Sequence, residues 1–109
     1  MLEVYSSPIT RESHMSEDVY TLPVDELERE TAEYCRHVAV YLRMERERLG
    51  LEQGVVAKRC GRSPGWASQL ESGKNDSHSA AKKYALAMGV DFALIVSLAE
   101  AAVDTRRGR

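Results

Sequence analysis

The chain has 109 residues, 43% of them hydrophobic and 29% charged, the balance of one soluble globular domain rather than two. No apolar run approaches the roughly 20 residues that span a bilayer, and the start lacks the basic flank and apolar stretch of a secretory signal, so no membrane partner is expected. The formal net charge of −2 hides a split: two arginines against nine acidic residues leave −7 over 1–35, while 13 Lys/Arg against eight Asp/Glu leave +5 over 36–109. That asymmetry predicts a basic binding body that carries an acidic arm.

Residues 1–24 show no sustained period and contain Pro8 and Pro23 among many Ser, Thr and Glu, so they read as a flexible acidic arm. A helical pattern begins at Asp25. Leu27, Thr31, Tyr34, Val38, Tyr41 and Glu45 recur at alternating steps of four and three, on one stripe. Asp25 and Glu26 suit the positive end of a helix, Arg43, Arg46 and Arg48 its negative end, and Gly50 stops it. A continuous helix over 25–49 is long for so small a chain, which leaves room for a break near Cys35–His37. Leu51–Cys60 reads as a second helix with Val55, Val56 and Cys60 turned inward, ended by Gly61. Ser63-Pro64, a hydroxyl cap followed by proline at the first helical position, starts a third that runs to about Ser72 and stops at Gly73. Ser77 or Ser79 caps a fourth through Ala81, Tyr84, Ala85 and Met88, closed by Gly89. Asp91 caps a fifth, Phe92–Val103, apolar over most of its surface. The domain is thus expected to span 25–105, with a frayed basic tail at 106–109, and no strand pattern interrupts it.

The second and third helices are about three turns each and are joined only by Gly61-Arg62-Ser63, a spacing that lets the third lie in a DNA major groove while the second crosses the backbone. Ala57 stands where the pair crosses, and a larger side chain there would force the helices apart. Gly61 permits the positive φ of the turn. Ala67 and Leu70 face inward from the third helix, so Pro64, Gly65, Ser68, Gln69 and Ser72 face out. The run Arg46-Glu-Arg-Leu-Gly-Leu-Glu-Gln53, then Val56-Ala57, Gly61, Ser63 and Trp66-Ala-Ser-Gln-Leu-Glu71-Ser-Gly73, resembles the lambda-repressor-like family, the Cro/C1 or XRE-type helix-turn-helix proteins. The resemblance covers about Val38–Leu98 and is most specific from Gln53 to Gly73. It implies an all-α, five-helix DNA-binding fold, here with an N-terminal helical extension and an acidic arm.

What the resemblance implies for single residues follows the family pattern. Gln69 is the strongest base reader, since a glutamine can pair with adenine through two hydrogen bonds. Ser68 can bond a base edge or a phosphate, and Pro64 and Gly65 hold outward sites where relatives carry longer polar side chains. Base readout through side chains is therefore expected to be sparse and shape readout to matter more. Gln53 stands where the family anchors a phosphate at a helix start. Ser63, Arg62, Lys74 and Asn75 are the further phosphate candidates. Arg46, Ala57, Gly61, Glu71 and Gly73 are structural, with Glu71 expected to pair with Arg46 or another arginine of the first helix. Trp66 reads as packing rather than as a wedge between bases.

Surplus apolar residues on the last helix (Leu94, Val96 and Val103) and the stripe through Leu27 and Tyr34 are candidate dimer seams. A homodimer matches a near-palindromic operator. Cys35 and His37 point some 200° apart on a helix, Cys60 belongs to a core face, and His14 and His78 are isolated, so no metal or other cofactor is expected. No nucleophile elbow, triad or glycine-rich phosphate loop is present, which points away from an enzyme. The expected role is a transcriptional regulator, such as a repressor, binding double-stranded DNA in the cytoplasm at the nucleoid. Two alternatives remain open: an antitoxin that grips a toxin through its acidic arm or last helix, and an adaptor that binds another protein.

Overall fold

The computed structural model describes residues 22–106; most of the acidic arm and the end of the basic tail lie outside the described residues. Among the described residues five α-helices follow one another: α1 (Val24–Arg48), α2 (Gln53–Arg59), α3 (Pro64–Ser72), α4 (His78–Met88) and α5 (Phe92–Arg106). The fold is all-α, with no strand among the described residues.

The capping chemistry read from the sequence sets most of these limits. Ser63 Oγ accepts from the Trp66 amide at 3.3 Å, with Pro64 in the first helical position, and Ser77 Oγ accepts from the Ala80 amide at 3.2 Å. Asp91 Oδ1 accepts from the Ala93 amide at 3.0 Å. At the end of α2, Gly61 has φ +71°, its amide donates to the Lys58 carbonyl, and the Arg62 amide donates to that of Ala57, both at 2.9 Å. That double bond satisfies the orphan carbonyls and reverses the chain within three residues, and a side chain at position 61 would strain it.

Several expectations are corrected. The first helix does not break near Cys35–His37: 25 residues run unbroken, about 37 Å long, because no Gly or Pro interrupts them and α5 packs along their N-terminal half. Its buried line is Val38, Ala39 and Leu42, whereas Leu27 is exposed and Tyr34 and Tyr41 are half-buried. The line is displaced because α1 meets α5 on one flank and α3 and α4 on the other. Val55 is exposed although it was expected inward; α2 starts two residues later than Leu51 and turns only Val56 and Ala57 fully inside.

The core gathers Leu42, Val56, Ala57, Ala67, Leu70, Tyr84, Ala85, Ile95 and Ala99, each 2% exposed or less. Fully burying one large aliphatic side chain such as Leu42 or Ile95 stabilises by about 1.5–3 kcal/mol. Ala57 and Ala67 are fully buried within the α2–α3 pair, where larger side chains would push the helices apart, whereas a methyl at Gly54 would make only ordinary contact with Pro64 Cγ, at 3.7 Å. Phe92, Ile95 and Ala99 close the core from α5, whereas Leu98 is exposed. Val103, counted among the surplus residues, is instead 4% exposed and buried within the chain. It lies by Leu27, Thr31 and Tyr34, so the two candidate seams face each other in one molecule.

Candidate nucleic-acid interface

The turn and α3 are held in place from behind by one carboxylate. Glu71, 7% exposed, is the only charged residue in the buried set among the described residues. Arg46 grips it with two donors, Nε at 2.6 Å and Nη2 at 3.0 Å, and uses Nη1 to bond the Leu51 carbonyl at 2.8 Å. Gln53 Nε2 donates to Glu71 Oε1 at 2.9 Å, and the Tyr84 hydroxyl donates to Glu71 Oε2 at 2.5 Å. Four helices therefore meet at two oxygens. Burial pushes the Glu71 carboxyl up, but hydrogen bonds from Arg46, Tyr84 and Gln53 outweigh it and hold the group below the ordinary range. Tyr84 moves the other way: burial and then its bond to the Glu71 carboxylate raise the phenol well above its usual value.

This network contains the expected pair of Glu71 and Arg46 and adds Gln53 and Tyr84 to it. The sequence pattern places Tyr84 only on the fourth helix. The signal was available, since a buried tyrosine normally finds a partner for its hydroxyl. Gln53, expected at a phosphate, donates one of its two amide N–H bonds to Glu71.

In front of this support lies the outward face of α3. Pro64, Gly65, Ser68, Gln69 and Ser72 are all exposed, as expected. The Ser72 hydroxyl donates to the Gln69 carbonyl at 3.2 Å, and the Asn75 amide donates to the same oxygen at 3.0 Å, so the loop after α3 is folded back onto its last turn. Asn75 is half-buried and its side-chain oxygen accepts from the Ser77 amide at 3.1 Å, while Lys74 is exposed. At the other end of α3, Arg62 lies over the Trp66 ring, 5.6 Å from its centroid, and Trp66 meets Tyr84 edge-on at 5.9 Å. Trp66 is thus half-buried packing that backs the turn.

A shallow cleft runs between α1, α2 and α3, lined by Arg43, Arg46, Gln53, Ser68, Glu71 and Ser72. It brings the phosphate candidate Gln53 beside the base-edge candidate Ser68. Arg43, taken in the sequence only as a charge suited to the helix end, forms its outer wall, 59% exposed and bonded to Glu47 at 3.2 Å.

Two short helices joined by a four-residue turn, with an exposed face on the second helix and a buried ionic brace behind, make a helix-turn-helix. The family model for a helix-turn-helix domain matches residues 37–98, more than half of the chain. The chain belongs to that family. This helix-turn-helix protein therefore carries a DNA-binding domain. No curated protein and no solved structure gives a match. The matched segment begins within α1 and ends within α5, so the first 13 residues of α1 and the last turns of α5 lie outside it. No helix among the described residues is long and apolar enough to cross a membrane.

Proposed function

We propose that the protein is a sequence-specific regulator of transcription that binds double-stranded DNA as a homodimer on a near-palindromic operator. The observation that carries this reading is the outward face of α3, exposed and uncharged along Pro64, Gly65, Ser68 and Gln69, with the Glu71 network behind it. Gln69 supplies the base contact and Ser68 a second polar group. Gln53, Ser63, Arg62, Lys74 and Asn75 ring the helix and hold the backbone in register, which positions the protein without reading sequence. Gln53 enters this role already oriented, since its amide is fixed on Glu71 and keeps one N–H for a phosphate oxygen.

A single domain of this size touches few base pairs, so a second copy supplies the rest of the specificity. Of the seam candidates, Leu94 is 52% exposed and lies one turn from Leu98, 38% exposed, on the outer face of α5. Leu27 is 46% exposed, while Tyr34 is half-buried and bonded to His78 at 2.8 Å, and Val96 packs against the core. The pair Leu94 and Leu98 is the seam favoured here. The reading is tested by selecting binding sites from a random duplex library and weighing the complex. Enrichment of a motif with two-fold symmetry, bound by two copies, is the expected result. Failure to enrich any motif sinks it.

A further inference from the structure

We propose that α1 adds a backbone clamp of its own: Arg36 and Arg43, together with Lys74, form a cationic border along the C-terminal half of α3 and grip the DNA phosphates there. The inference rests on the DNA-binding reading and extends it beyond the matched domain, because Arg36 lies just outside residues 37–98.

Arg36 and Arg43 are seven residues apart, so they stand on the same face of α1, two turns and about 10.5 Å from each other. That separation is close to three base-pair steps of about 3.4 Å, enough for the two guanidiniums to engage different phosphates. Both face α3. Arg43 shares the cleft with Ser68 and Ser72, and a methyl at Gly73 would lie 3.9 Å from Arg36 Cγ. Arg36 thus packs on the residue that ends α3, directly before the exposed Lys74, and the cations come from two elements that the fold brings together.

The present partners of these arginines do not withhold them. Arg36 is 64% exposed with Glu33 at 4.0 Å, and Arg43 is 59% exposed with Glu47 at 3.2 Å. Both pairs lie within one helix: Arg43–Glu47 is exposed on both sides, the weak and salt-screened kind, and the 4.0 Å from Arg36 to Glu33, whose side chain is 12% exposed, is the outer limit of an ion pair. Each keeps further N–H donors in a planar fork that suits phosphate oxygens. Arg29 continues the same face one heptad further out, yet no described contact brings it to α3, which makes it the internal control for net charge.

The test measures binding of the full chain to a fluorescent random-sequence duplex between 50 and 200 mM salt, for the wild type and for Arg36→Gln, Arg43→Gln, Arg29→Gln and Arg36→Lys. Each lost phosphate contact lowers the slope of log affinity against log salt by about 0.9. Over that fourfold salt range the drop in affinity should therefore shrink by about 3.5-fold in Arg36→Gln and again in Arg43→Gln. Arg29→Gln should keep the wild-type slope, and Arg36→Lys should restore it, which separates charge from any change in folding. An unaltered slope in Arg36→Gln overturns the clamp and leaves the DNA-binding reading intact, as does an equal loss in Arg29→Gln or in Arg36→Lys. A wild-type chain that binds no duplex overturns both.

Discussion

Replacing Glu71 by alanine removes the acceptor on which α1, α2, α3 and α4 converge. Arg46, whose side chain is 13% exposed, keeps its charge but loses both short bonds, and the fully buried Tyr84 hydroxyl loses its acceptor. Breaking one side of a buried ion pair costs about 3–5 kcal/mol, and an orphaned buried donor roughly 1–3 kcal/mol. The two losses share one carboxylate and the Arg46 stem can swing toward water, so we expect about 4 kcal/mol in all. That is a large part of the 5–15 kcal/mol that typically holds a domain, and at about 4–8 °C per kcal/mol it lowers Tm by roughly 15–30 °C. Urea unfolding followed by circular dichroism, with an unchanged slope m, measures the loss directly. The double variant Arg46→Ala, Glu71→Ala should cost much less than the sum of the singles, with a coupling of about 2 kcal/mol or more. A loss below about 1 kcal/mol for Glu71→Ala, or additive singles, would refute the view that this brace holds the helix pair together.

Three further outcomes are expected. Gln69→Ala should cost roughly 1–3 kcal/mol in binding and relax preference at one base pair per half-site, read by site selection; equal stringency in mutant and wild type would remove Gln69 as the reader. Glu71 has a folded pKa below its ordinary 4.5, so its contribution is complete above that value and disappears as pH falls through the lower, folded value. Acid titration of stability should accordingly be steeper below pH 4.5 in the wild type than in Glu71→Gln, and parallel curves would contradict it. Leu94→Asp combined with Leu98→Asp should convert a dimer to a monomer by mass measurement at tens of micromolar protein, whereas a monomeric wild type would defeat the two-fold reading.

The sequence by itself determined the element order and its punctuation. Ser63-Pro64, Gly61 and Gly73 act over three or four residues, through caps and left-handed turns whose geometry is local, so no knowledge of the rest of the chain is needed to read them. The spacing from Gln53 to Gly73 likewise carried the family, because the α2–α3 pair is set by contacts within two turns of its own crossing.

Tertiary structure alone decided the neighbours of residues far apart in the chain. Periodicity placed Leu27, Tyr34 and Val103 on apolar stripes, but only the packing of α1 on α5 turned Val103 from a candidate dimer contact into a buried residue of the same molecule. Val55 and Leu98 fit an inward pattern and emerged exposed, since a helix's apolar arc is wider than the surface its neighbours can cover. Most of all, the brace at Glu71 unites positions 46, 53, 71 and 84, a convergence that depends on the angles between four helices. The same angles bring Arg36 to Gly73, a contact that only the packing of α1 beside α3 could make.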